Sequence, residues 1–122
     1  MKAVSIIALT AVFAAPAYAD CVAPTGNVTV PDGSKATLDE MLAAKKAVNE
    51  YNAAVEAFNS CLNLEQDAAI AARGRNITEE ERKAIDKQYA ERSNTEVNRL
   101  QAVADELNTQ IRAYKTAHPS KE

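Results

Sequence analysis

The sequence predicts an all-α protein: a long antiparallel two-helix hairpin of coiled-coil character, with an extended N-terminal segment pinned along the first helix by a disulfide. Two stripes of apolar residues with alternating three- and four-residue spacing follow one another along the chain, and each is typical of one face of a helix. A capping box precedes each stripe, T-L-D-E for the first and T-E-E-E for the second, and predicts where each helix begins. One cysteine, Cys21, precedes the first helix, and the other, Cys61, lies towards its far end.

Residues 1–19 have the pattern of a secretory signal peptide. A lysine near the start is followed by an apolar run, and Ala17 and Ala19 occupy the positions that signal peptidase reads. We therefore expect cleavage between Ala19 and Asp20 and a periplasmic location, because the signal looks bacterial. The apolar run is too short for a stable transmembrane helix. Tyr18 and Asp20 do not fit the sequence that precedes a lipidated cysteine, so no membrane anchor is expected after signal removal.

The extended N-terminal segment is predicted over residues 20–36, where a turn is expected at Pro31–Gly33. Pairing of Cys21 with Cys61 is expected in an exported chain with two cysteines, and the alternatives are two free thiols or an intermolecular bridge. The segment is long enough to double back along about 36 Å of helix and reach Cys61. Three valines are expected to face the helix: Val22, Val28 and Val30.

The helical hairpin is predicted over residues 37–118. Helix 1 is expected over about residues 37–73, a turn at 74–78 and helix 2 over about 79–117, with residues 119–122 as a C-terminal tail. The near-equal helix lengths and the short link between them predict antiparallel packing.

The two apolar stripes are predicted to form the seam between the helices. The first comprises Met41, Ala44, Val48, Tyr51, Val55, Phe58 and Leu62. The second comprises Ala90, Ser93, Val97, Leu100, Ala104, Leu107, Ile111 and Tyr114. Opposed residues should have numbers that total about 152, which places Val55 against Val97. Ile85 and Tyr89 fall one position off the second stripe, so we expect the supercoil to relax there.

The charged residues of helix 2 are expected to form solvated i,i+4 pairs, such as Arg92 with Glu96. The alternative is a charged tip near the turn that grips a partner, formed within the range Arg73–Lys83.

No constellation of residues carries a recognisable chemistry. The one histidine, His118, stands beside a proline at the end of helix 2, which disfavours a metal site or a catalytic histidine. The chain has no glycine-rich phosphate loop, no C-x-x-C motif and no nucleophile elbow. No pair of carboxylates is expected to be desolvated. We therefore expect no enzyme activity, no cofactor and no metal, and the net charge of −3 without a basic patch argues against nucleic-acid binding.

The run from Pro31 to Thr37 and the pair Cys61-Leu62 resemble a set of short exported proteins from Gram-negative bacteria. Those proteins share a P-D-G-x-x-A-T start and a helix that ends in C-L. The resemblance covers roughly residues 21–62 and implies export and a disulfide, but no activity.

Three classes of function remain open. The first is a structural or protein-interaction module in the periplasm, which binds a second copy of itself as a dimer or another periplasmic protein. The second is a periplasmic chaperone or envelope-stress binder of unfolded clients, although the chain is poor in the methionines that such surfaces favour. The third is an enzyme or a metal-handling protein.

Overall fold

The computed structural model describes residues 20–25 and 27–120. Over this part of the chain it contains two helices and no strand: α1 (Leu38–Ala72) and α2 (Glu79–Ala117). The helices pack against each other as a hairpin, which confirms the predicted fold class. Neither helix has a stretch long and apolar enough to span a membrane. The predicted signal peptide, including Ala19, lies outside the described residues.

Both helices begin at a complete capping box. The Thr37 side chain accepts a hydrogen bond from the Glu40 N–H, and the Glu40 carboxylate accepts one of 2.7 Å from the Thr37 N–H. Thr78 and Glu81 repeat the arrangement at α2. Such a cap contributes about 1 kcal/mol, because it satisfies N–H groups that have no partner within the helix. α1 is followed by Gly74, whose φ of +75° suits glycine.

The apolar stripe of α1 forms the core of the hairpin. Its buried residues are Met41, Ala44, Val48, Tyr51, Val55, Phe58 and Leu62. Phe58 and Leu62 pack at the turn end of the hairpin against Ile85 and Tyr89 of α2. The core at the other end is a second cluster, formed by Ala36, Met41, Ala44, Val48 and Leu107.

The predicted seam of α2 is wrong at Ala90 and Val97. Val97 is 42% exposed and Ala90 is also exposed, so neither belongs to the buried seam. The residues that α2 buries are Ile85, Tyr89, Glu96 and Leu107. The remaining predicted seam residues of this helix are half-buried: Ser93, Leu100, Ala104, Ile111 and Tyr114. A strict seven-residue repeat drifts by about 20° per heptad on a straight α-helix, and the drift rotates Val97 and Ala90 progressively out of the seam.

Two hydrogen bonds across the hairpin define its register. Ser93 Oγ donates to Asn59 Oδ1 at 2.9 Å, and Gln66 Nε2 donates to Asp86 Oδ1 at 2.7 Å. The residue numbers of both pairs total 152, so on this side of the hairpin the helices have the predicted alignment.

The N-terminal segment lies along the hairpin and is held by the predicted disulfide. Cys21 and Cys61 are bonded, with their Cα atoms 5.8 Å apart, which confirms the pinning of the segment to α1. Val28 and Val30 are half-buried and pack against the cluster around Val48. The expectation for Val22 is wrong, because its side chain, next to the disulfide-bonded Cys21, is 83% exposed.

The turn at residues 32–36 fixes the other end of the segment. Ala36 N–H donates to the Asp32 carbonyl at 2.8 Å, and Gly33 N–H donates to Gln110 Oε1 of α2 at 2.8 Å. A Cβ atom at Gly33 would lie 1.9 Å from the Gln110 carbonyl oxygen, so the backbone approach requires glycine. The segment is therefore tied to α1 at Cys61 and to α2 at Gln110.

Candidate functional site

Polar and aromatic side chains converge where Cys21 meets both helices. Glu65 follows Cys61 by four residues, so both lie on the same side of α1. Tyr89 and Arg92 come from the facing side of α2 at a spacing of three residues. We call these five residues the Cys21 clamp.

Within the Cys21 clamp, Glu65 accepts three hydrogen bonds. Its Oε2 accepts from the Cys21 N–H at 3.1 Å, and its Oε1 accepts from the Tyr89 hydroxyl at 3.1 Å and from Arg92 Nη1 at 3.0 Å. Arg92 Nη2 donates to the Cys21 carbonyl at 2.9 Å. Both backbone polar groups of Cys21 therefore bind a charged side chain, and the two charged side chains bind each other.

The environment of the clamp shifts the pKa of its acidic groups. Burial alone would raise the pKa of Glu65, but the hydrogen bonds from Cys21, Arg92 and Tyr89 outweigh it and lower the pKa below its ordinary value of 4.5. Burial, and then the hydrogen bond to Glu65, raise the pKa of Tyr89. Glu65 therefore stays ionised and Tyr89 stays protonated at neutral pH.

Arg92 also packs on aromatic rings. Its guanidinium carbon lies 5.9 Å from the centroid of Phe58 and 5.5 Å from that of Tyr89, within the range of cation–π attraction. The predicted i,i+4 pair of Arg92 with Glu96 is wrong, because Arg92 turns to Glu65 across the hairpin. That orientation gives the guanidinium a second acceptor and two aromatic neighbours, which a solvated pair would not.

Glu96 is a buried carboxylate that the sequence analysis missed. It is 3% exposed, whereas the predicted pair with Arg92 places it on the solvated face of helix 2. Tyr51 OH donates to Glu96 Oε2 at 3.2 Å, and Arg99 Nη1 donates to Oε1 at 3.0 Å. Burial, and then the Glu96 contact, raise the pKa of Tyr51. The sequence does contain a signal for this burial. Glu96 follows Tyr89 by seven residues, which places both on the side of α2 that faces α1.

These groups serve to hold the chain together. Among the described residues, every buried side-chain nitrogen and oxygen has a hydrogen-bond partner. The sulfurs of Cys21 and Cys61 and the Glu65 carboxylate lie within 4.8 Å of one another, a spacing that could suit a cation. The sulfurs are bonded to each other, however, and the Glu65 carboxylate already forms an ion pair with Arg92. The arrangement thus fits a structural tie better than a metal site.

The charged tip consists of exposed pairs. Arg73 lies 3.6 Å from Glu81, and Lys83 lies 2.6 Å from Glu79. Exposed pairs of this kind contribute little to stability.

Apolar side chains remain exposed on several faces. Leu64 is 71% exposed and borders a shallow groove with Ala68 and Ala71 beside the disulfide. Leu38 and Leu42 are exposed at the start of α1, and Val97 is exposed on α2. A second groove, on the other side of the hairpin, is lined mainly by amide side chains and small residues: Asn59, Asn63, Gln66, Asp86, Ala90, Ser93 and Asn94.

No protein-family model matches this chain, and none of the curated proteins or solved structures with which it was compared is detectably similar to it. The resemblance of residues 21–62 to short exported proteins therefore stays a prediction.

Proposed function

We propose that this chain is an exported, non-catalytic helical-hairpin protein that acts as a structural or protein-interaction module in the periplasm, with a second copy of itself as its partner. One contrast carries the proposal. The acids and bases near the core are paired with each other, as in the Glu65–Arg92 pair, whereas large apolar side chains such as Val97 are exposed. The surface therefore presents apolar contact area to a partner and not reactive groups.

Two observations support export. The Cys21–Cys61 disulfide closes a loop across 40 residues, and disulfides of this structural kind persist in oxidising compartments. The signal-like pattern of residues 1–19 points the same way, although these residues lie outside the described structure.

The distribution of the exposed apolar residues favours defined contacts over the binding of unfolded clients. Leu64 and Val22 lie at the disulfide, Leu38 and Leu42 lie near the opposite end, and Val97 lies on α2. A holding chaperone needs a continuous adaptable surface, whereas these side chains are far apart, at the two ends of α1 and on α2.

The proposal is tested by measuring two properties of the oxidised protein from Asp20 onwards. We expect an assembly of fixed stoichiometry, and no suppression of aggregation when a thermally unfolding client is heated with an equimolar amount. Suppression of aggregation by a chain that remains monomeric would instead support the chaperone alternative.

A further inference from the structure

We infer that α2 carries a self-complementary face through which two copies of the hairpin pack antiparallel, α2 against α2, about a two-fold axis at Gln101. The inference rests on the proposed function and names the surface and the partner. It concerns a face distinct from the Cys21 clamp and from the groove beside Leu64.

The face, which we call the Gln101 face, is a regular stripe along α2. Its members are Glu79, Lys83, Asp86, Ala90, Asn94, Val97, Gln101, Ala104, Asn108, Arg112 and Lys115. At 100° per residue they fall within an arc of about 80°. All are exposed except Ala104, which is half-buried, and Val97 is the large apolar side chain that the hairpin leaves outside on α2. From Ala90 to Asn108 the stripe has no charged residue, although α2 is rich in charge elsewhere.

The Gln101 face is not covered by the rest of the chain. The N-terminal segment contacts α2 through Arg92 and Gln110, which lie on the opposite flank of the helix. On the side of the Gln101 face, Ala90 and Asn94 instead line the amide groove with Asn63 of α1. A second helix can therefore approach the face without displacing the segment.

The stripe matches itself when it is reversed. An axis at Gln101 places Val97 against Ala104 of the second copy and Ala90 against Arg112 of the second copy, so that a large residue meets a small one. Asn94 meets Asn108 of the second copy, and an amide pair can both donate and accept. A two-fold axis makes each of these contacts twice.

Charge favours this register over the neighbouring one, in which the two-fold axis lies at Val97. With the axis at Gln101, Asp86 meets Lys115 of the second copy at each end of the interface. An axis at Val97 would instead set Asp86 against Asn108 and Lys83 against Arg112 of the second copy, a like-charge contact that offsets the one favourable pair, Glu79 with Lys115. Asp86 accepts a hydrogen bond from Gln66, and its carboxylate has room for a further donor.

The test compares two aspartate substitutions at adjacent positions, Val97→Asp and Asn98→Asp, in the oxidised chain from Asp20 onwards. Both leave the same kind of side chain on the surface of the hairpin, but only position 97 lies on the Gln101 face. Sedimentation velocity over a tenfold range of concentration gives the dissociation constant. We expect V97D to weaken dimerisation about 100-fold or more, since it places two charges in the interface, and N98D to leave it unchanged.

A charge exchange provides a second test that does not depend on V97D folding normally. Asp86→Lys and Lys115→Asp should each weaken the dimer about three- to tenfold, and the double variant should restore it. Leu64→Asp serves as the control for the α1 face and should have no effect.

The outcomes separate this inference from the proposed function. If V97D dimerises like the wild type, or if only L64D prevents dimerisation, the Gln101 face is not the interface, although the protein still self-associates. If the wild type is monomeric throughout, self-association itself is wrong.

Discussion

The carboxylate of Glu65 and the guanidinium of Arg92 meet at 3.0 Å across the hairpin, and both also hydrogen-bond the backbone of Cys21. Three separate parts of the chain are thus held at one point, where the disulfide is also formed. The covalent and the non-covalent ties act on the same residue, and each can be removed without the other.

Replacing Arg92 with alanine should destabilise the hairpin by about 1–2 kcal/mol, because it leaves Glu65 with a partly buried charge and removes the bond to the Cys21 carbonyl. Thermal unfolding measures the effect. Arg82→Ala is the matched control, since Arg82 is exposed on the same helix. If the two variants unfold at the same temperature, the clamp does not contribute to stability.

The clamp should also make stability depend on acid pH. Because the pKa of Glu65 is lowered in the folded protein, its ionised form contributes stability that is fully present above the ordinary value of 4.5. That contribution is lost as the pH falls below 4.5 and through the folded-state pKa. Glu65→Gln should flatten this part of the curve of unfolding free energy against pH. A variant curve parallel to that of the wild type would contradict the assignment.

Replacing both cysteines with serine should lower the free energy of unfolding by about 3–4 kcal/mol in the chain-entropy view, since the disulfide closes a loop across 40 residues. The loss should appear first in residues 21–31, because the turn at Gly33 still binds Gln110. Amide hydrogen exchange can resolve the two ends of the segment. Unchanged exchange and melting in the double variant would show that the disulfide is not structural.

Gly33→Ala should destabilise the protein by about 2 kcal/mol or more, because the new methyl group would collide with the backbone of α2 at Gln110. Gly74→Ala is the comparison, since space is open there and only the positive φ is unfavourable, at about 1 kcal/mol. Urea unfolding of both variants measures the difference. Equal losses would mean that the turn at Gly33 is not closely packed on α2.

Local signals in the sequence were sufficient for the helices and for the disulfide. The Thr37 and Thr78 capping boxes act within four residues of chain, and the stripe of α1 needs only its own spacing. The inward face of α2 could not be obtained in the same way. A heptad repeat predicts burial at Val97 only if the helix supercoils fully, whereas the buried residue is Glu96, which accepts a hydrogen bond from the Tyr51 hydroxyl.

The Cys21 clamp depends on contacts between residues that are far apart in the sequence, and residue spacing alone does not show which of them form. Arg92 has a carboxylate at i+4, and such pairs contribute about 0.2–0.5 kcal/mol. Its observed partner, Glu65, lies 27 residues away along the chain and becomes available only after the hairpin forms and Cys21 is in place. The choice between the two acids therefore follows from tertiary packing.

The mass in solution of the oxidised protein that begins at Asp20 tests the central claim of an interaction module most directly. Static light scattering at micromolar concentration should give the mass of two chains, decreasing towards one chain on dilution as a reversible dimer does. A mass of one chain that stays unchanged when the protein is concentrated tenfold would contradict the account.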